Sequence, residues 1–438
     1  MVFRLRDTSQ LVFACVLLLT AVGSALASPA AIQLDLEEAI RLAVRNELNM
    51  GPAEAALAGA AAGVKKAEAA KRPSLSLSGS YSKFEEEQPL FMSDDVFSTS
   101  LNLQWALYTG GKISSGIKLA ELGEESAEFE YDRQLSQTIY QAVQGYINLL
   151  KADSFRKVSQ DYVQIVQEHL KLVETNLELG YATKADLLAT KIQLVQAEQA
   201  ATRAQHGYWL AEANLKNLLG LSDQEEITLA PLAYSFAYSL PSVEEATALA
   251  LQSRPEVAGL RLAVKMAEEN LKMAQDYWKP SVVLVGSYGT QGGTLDLSQA
   301  QWQLTLNAEW KFSDGGAGAA GVEEAQANLE KARQSFAQAE NGIKLEIKQK
   351  HLAISEASQA RELALLNLEQ AEENYEFTKA KYELGAATNV ELLTAESTLN
   401  QARSDRCTAE YDYYLAVVDL FKAMGQIEKI VPGVDPNA

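Results

Sequence analysis

ELGYATKADLL at residues 178–188 returns as ELGAATNVELL at residues 383–393. Each copy interrupts one long helical pattern and is followed at once by another. Gly180 and Gly385 stand where a chain leaving a helix adopts the left-handed conformation. Thr183 and Thr388 are suited to cap the next helix. Asp186 and Glu391 stand three residues on, at the acidic position of a capping box. Both copies therefore read as tips of antiparallel helical hairpins.

The helices that reach these tips are unusually long. From about Lys112 to Leu179 there is no proline, and apolar residues such as Ile139, Val143, Tyr146 and Leu150 fall at 3/4 spacing. Such a helix spans roughly 100 Å at 1.5 Å per residue. A second stretch, about Ala317 to Leu384, mirrors it with Leu368, Ala371, Tyr375 and Tyr382. The return helices, Lys184–Leu219 and Asn389–Met424, are about half as long. The segments Pro52–Lys71 and Pro255–Tyr277 are placed to stack end to end with them. A pattern sustained this far implies coiled-coil packing.

The mirroring extends to most of the chain. Leu36-Glu37-Glu38-Ala39 matches Val243-Glu244-Glu245-Ala246, and Arg72-Pro73-Ser74 matches Lys279-Pro280-Ser281, both 207 residues apart. Trp105 and Trp310, the tips, and the closing Gly220 and Gly425 are all 205 residues apart. This period is too long for a solenoid and marks a duplicated unit. The expected domains are a first repeat over 28–220, a connector over 221–241, a second repeat over 242–425, and a tail over 426–438.

Each repeat carries two runs of period two. Leu75, Leu77, Gly79 and Tyr81 alternate with serines, and Phe97, Thr99, Leu101, Leu103, Trp105 and Leu107 alternate with polar residues. The second repeat has Val282, Leu284, Gly286 and Tyr288, then Trp302, Leu304, Leu306, Ala308, Trp310 and Phe312. The expected strands are about 74–88, 96–108, 281–289 and 301–312. Alternation over about ten residues with aromatics near the ends is the pattern of an outer-membrane barrel. A soluble sheet would bury its apolar face, yet the helices have apolar seams of their own. Four strands cannot close, and an open edge cannot sit in lipid. The chain is therefore expected to oligomerise: two copies give eight strands, three give twelve and room for a passage.

Composition narrows the function. The 438 residues carry a net charge of −20, against a general nucleic-acid binder. Mean hydropathy is −0.13, and no stretch after residue 30 approaches the roughly 20 apolar residues of a membrane helix. Residues 1–27 read as a signal peptide: Arg4 and Arg6, an apolar run over 11–20, and Ala25-Leu26-Ala27 as the cleavage site. The run is short for a membrane anchor. After cleavage one cysteine remains, Cys407, so no internal disulfide framework is expected. His169, His206 and His351 lie far apart without ligand spacing, and no nucleophile–base motif or carboxylate couple stands out. No metal, cofactor or enzymatic activity is expected.

This ordered set, present twice, resembles the TolC-like outer-membrane factors (outer membrane efflux proteins) over nearly the whole chain after residue 27. The resemblance implies a mixed α+β membrane protein: a homotrimer whose four strands per chain complete a twelve-stranded barrel, continued by a coiled-coil helical tunnel in the periplasm. It implies the exit duct of a tripartite efflux pump or type I secretion system in the cell outer membrane. The partners implied are a periplasmic adaptor and an inner-membrane pump. By the same resemblance Leu179, Gly180, Thr183, Leu384, Gly385 and Thr388 would dock the adaptor. Asp186, Tyr382 and Glu391 match positions of the periplasmic gate. Two departures stand out: Ala387 occupies the gate's arginine position, and Thr394 its second acidic position. The closed state is then expected to lean on Tyr382 and Asp186. Three copies of Glu391 around one axis would repel anions, attract divalent cations and raise one another's pKa. The rival reading is a periplasmic coiled-coil adaptor or structural rod, which accounts for the helices but not for the four strand patterns.

Overall fold

A computed structural model describes residues 32–88, 91, 93–232 and 240–430. The expected signal peptide, part of the connector (233–239) and the end of the tail (431–438) lie outside the described residues. The first repeat runs β1 (Ile32–Leu34), α1 (Leu36–Arg45), α2 (Glu47–Ala69), β2 (Ser74–Gln88), β3 (Ser93–Tyr108), α3 (Lys112–Glu178) and α4 (Lys184–Leu219). The connector holds β4 (Ile227–Leu229), and the second repeat runs α5 (Val243–Ser253), α6 (Pro255–Gln275), β5 (Ser281–Gly292), β6 (Gln301–Glu309), α7 (Ala317–Glu383) and α8 (Asn389–Ala423). The helices α3 and α7 have 67 residues each.

The strands form one sheet in the order β2-β3-β5-β6, every neighbour antiparallel. Its register carries the period-two patterns across all four strands. Leu77, Leu101, Tyr288 and Trp302 lie in one row, and Leu75, Leu103, Gly286 and Leu304 in the next. On the opposite face Ser76, Asn102, Ser287 and Gln303 form a polar row. Nothing among the described residues covers the apolar face: Leu77 and Trp302 are 75% and 77% exposed. Among the described residues both outer strands, β2 and β6, leave one edge unpaired. No helix among the described residues is long and apolar enough to cross a membrane.

The strand ends differ in detail from the sequence reading. Strand β3 begins at Ser93, because the β2–β3 ladder resumes beyond an irregularity and pairs Ser93 with Gln88. Strand β6 stops at Glu309, and the next residue, Trp310, turns its indole N–H onto the carbonyl of Trp278 at 2.9 Å.

The helices form an arc hung from the sheet. Helix α3 lies between α2 and α4 on one side and α6 and α8 on the other, while α7 packs on α6 and α8. The two short helices on each flank meet end to end. In the first repeat the Asn46 and Asn49 amides both donate to the Leu218 carbonyl, at 3.1 and 2.9 Å. In the second, Gly425 (φ +68) lies so close to Arg254 that a Cβ there would stand 3.0 Å from its backbone N. The largest apolar core surrounds these joints, where Ile40, Ile147, Leu215, Ile347, Val418 and Leu420 are fully buried. A three-residue parallel ribbon of β1 on β4 crosses it. The buried Tyr146 hydroxyl holds that ribbon, lying 3.1 Å from the Leu34 carbonyl and 2.6 Å from that of Ala230. Burial pushes this hydroxyl up to about 12. Cys407 is buried too, and burial raises its thiol to about 11, which keeps it protonated and unreactive.

Candidate functional site

Both tips have one backbone geometry. Helix α3 ends in a Schellman motif: the Gly180 N–H donates to the Leu177 carbonyl (3.1 Å) and the Tyr181 N–H to Asn176 (2.7 Å). At the second tip Gly385 donates to Tyr382 (3.0 Å) and Ala386 to Lys381 (2.8 Å). The glycines hold φ of +80 and +72. An added Cβ would meet no atom within 4 Å at either position, so conformation alone selects glycine there. The preceding leucines are turned outward, Leu179 64% and Leu384 84% exposed, beside exposed Tyr181 and Val390. Each tip thus offers apolar side chains on a rigid turn.

The next helix begins with a complete capping box. The Asp186 N–H donates to Thr183 Oγ1 (3.2 Å), and the Thr183 N–H donates back to the Asp186 carboxylate (2.9 Å). Glu391 and Thr388 repeat this at 3.3 and 2.6 Å. Bonds from the Thr183 hydroxyl and amide hold the Asp186 carboxyl below its ordinary value. The Thr388 amide and hydroxyl lower Glu391 in the same way. Within a chain the cap therefore acts against the raised pKa that clustering of three Glu391 carboxylates would bring.

Tyr382 lies inward of these caps. It is buried between the two hairpins, in a seam with Val173, Leu368, Ala371, Leu392 and Leu399. Burial pushes its hydroxyl up, and the Asp186 and Glu396 carboxylates add to the shift. Its hydroxyl meets the Asn176 side chain, and the Asp186 carboxylate is taken up by Thr183. Within one chain Tyr382 and Asp186 thus each bond to another partner, Asn176 and Thr183. Ala387 packs into the same seam, and the Thr394 hydroxyl donates to its own helix at Val390 (2.7 Å).

Two contacts between the hairpins escape a linear reading. The Asn389 amide donates to the Asp186 carbonyl at 3.4 Å, and the Thr190 hydroxyl, which donates to the same carbonyl at 3.0 Å, lies 3.4 Å from Asn389 Oδ1, with both side chains buried. Higher up, His169 Nδ1 of α3 lies 3.0 and 3.1 Å from the two carboxylate oxygens of Glu396 on α8. A carboxylate only accepts, so Nδ1 carries the proton. Both side chains are 2% exposed, and the imidazole meets the Tyr382 ring edge-on at 5.4 Å. The sequence signal for the first contact was an asparagine where the other tip has Lys184. For the second there was none, because 227 residues separate the partners.

The sequence pattern of the family described as "Outer membrane efflux protein" matches residues 39–221 and 247–426. The outer membrane efflux protein BepC of Brucella suis biovar 1 is 23% identical over 426 residues, covering 95% of this chain and 90% of that one. The alkaline protease secretion protein AprF of Pseudomonas aeruginosa is 23% identical over 334 residues, covering 74% and 68%. The outer membrane channel CmeC of Campylobacter jejuni superposes with a TM-score of 0.77 at 19% identity, over 90% of this chain and 86% of that one.

Proposed function

The chain belongs to the outer membrane efflux protein family, and from that membership we propose that three copies assemble into a passive exit duct serving efflux or secretion. The observation that carries this reading is the sheet. Among the described residues its apolar face is uncovered and both edges are open, and its other face is mostly polar, with Val283 and Val285 of β5 set between Gln104, Thr305 and Asn307. In lipid such edges have to pair with another copy. Strand β6 of one copy then meets β2 of the next, and twelve strands surround a passage lined by Ser76, Asn102, Ser287 and Gln303. The helical arc supports the same head-to-tail contact. Its flanking helices leave apolar rows exposed, Leu188, Ile192 and Val195 on α4 and Leu345 and Leu352 on α7.

In this reading residues 28–220 and 242–425 are two copies of one structural unit, and the tips are the working end. Leu179, Gly180, Thr183, Leu384, Gly385 and Thr388 dock a periplasmic adaptor, which connects the duct to an inner-membrane pump. Asp186, Tyr382 and Glu391 belong to the gate, and the adaptor opens it by binding the parted tips more tightly. The duct conducts without catalysis, and choice of cargo lies with the pump.

The test is fractionation followed by conductance. The protein is expected in outer-membrane fractions as a species of three chains on unheated gels, which heating converts to a single chain lighter, by the cleaved signal peptide, than the 47.7 kDa of the full sequence. Purified trimers are expected to form discrete channels in planar bilayers. A soluble periplasmic monomer with no conductance would overturn the duct and favour the adaptor or rod.

A further inference from the structure

The 205-residue repeat brings equivalent positions to different ends. Glu174 and Lys191 correspond to Lys379 and Glu396. In the first repeat the two residues bond to each other within one hairpin, Lys191 Nζ to Glu174 at 3.4 Å, half-exposed to solvent. In the second repeat the charges are exchanged, and Glu396 turns instead to His169 of the other hairpin. His169 has no counterpart of its kind, since Asn374 occupies the matching position. The duplicated surface bond has thus become a buried bond between hairpins.

We infer that His169 and Glu396 form a latch that holds the two hairpins of each chain together while the duct is closed, and that is released into water when they part. This rests on the gate reading of the tips. The pair lies within the same apolar seam as Tyr382, where Val173, Ala371 and Leu399 are nearly inaccessible. Three tyrosines, Tyr162 of α3 and Tyr375 and Tyr382 of α7, sense the Glu396 carboxylate, which is one cause of their raised values. A cavity of about 240 Å³ opens beside the pair, with Glu168, Lys379 and Glu383 among its charged lining. His169 Nε2 is buried there without a hydrogen-bond partner. Separation of α8 from α3 strips the carboxylate of its donor, which is tolerable only if water enters through this cavity. The seam therefore has two favourable arrangements, dry and paired or parted and wet. A carboxylate kept dry without its partner is the costly one.

Single-channel recording of full-length trimers tests the latch. His169→Leu, or His169→Met should the first variant fail to assemble, leaves Glu396 buried and unpaired. Either is expected to raise the open fraction about ten-fold or more. The paired variant His169→Leu/Glu396→Leu has no buried charge and is expected to return to within about three-fold of the parent, as independent packing defects would not. Glu396→Gln keeps the shape and a bond to the imidazole, and is expected to stay closed. An unchanged open fraction in the single His169 variants, or a paired variant as leaky as they are, would overturn the latch alone. Trimers that conduct under no condition would overturn the duct reading and the latch with it.

Discussion

Trp105 and Trp310, 205 residues apart, make the same bond. Each indole N–H donates to a backbone carbonyl at the entry to the repeat's first strand, Lys71 at 3.0 Å and Trp278 at 2.9 Å. Each ring is partly exposed while its polar atom is satisfied, which suits the boundary between lipid and water. The bonds tie the end of one strand run to the start of the other where sheet gives way to helix. Replacing both tryptophans with Phe is expected to lose about 0.5–1.5 kcal/mol per bond. A lower temperature of trimer dissociation on unheated gels, with conductance unchanged, checks this.

Adjacent residues of β6 face opposite ways, so arginine is expected to have opposite effects at each. Leu304→Arg puts a charge on the apolar face, at a cost of about 2–4 kcal/mol near the bilayer midplane. Trimer yield in the outer membrane is expected to collapse. Gln303→Arg points to the polar face and is expected to leave yield intact while shifting conductance toward anions. Reversal potentials in a salt gradient read the second effect.

At the tips, Gly180→Val with Gly385→Val forces β-branched residues to φ near +80 and +72. The strain is about 1–2 kcal/mol or more at each site. Because neither Cβ meets a neighbour, the damage stays local. Trimers are expected to persist while adaptor-dependent export is lost, read as sensitivity to an exported toxic compound.

The capping boxes set a pH dependence of definite sign. Asp186 and Glu391 have carboxyls held below their ordinary values by Thr183 and Thr388. A depressed carboxyl contributes stability that is fully present above its unfolded value, about 4, and is lost as pH falls through the lower folded value. Amide exchange at the first turns of α4 and α8 is therefore expected to stay protected from pH 7 down to about 5. Once corrected for the intrinsic rate, protection is expected to fall below about pH 4. Thr183→Ala and Thr388→Ala are expected to remove this protection at every pH.

Periodicity made much of this molecule legible. Strands and helices announce themselves by periods of 2 and 3.6, and here both run long enough to be unmistakable. The tips were readable because glycine and threonine at that spacing have a local backbone reason. The β1–β4 ribbon was not, since three residues such as Ile32–Leu34 carry no period and their partners lie 195 positions on. His169 was invisible as half of a pair for the same reason. Linear spacing finds partners on one helix and is blind to those brought together between helices. The capping carboxylates illustrate a third limit. Asp186 and Glu391 were legible as capping acids, and the fold shows the threonine hydroxyl as well as the amide bonded to each carboxylate, which spacing alone does not give.

The bare edges of β2 and β6 bear on how the molecule comes into being. A newly exported chain carries two unpaired strand edges and an uncovered apolar sheet, the features that template wrong pairing and aggregation. Sheet closure in the proposed trimer removes all of these edges together, while a dimer or an open stack would leave some bare or enclose no passage. Until a third copy arrives every intermediate is sticky. Assembly is then a race against aggregation, run by the same exposed edges.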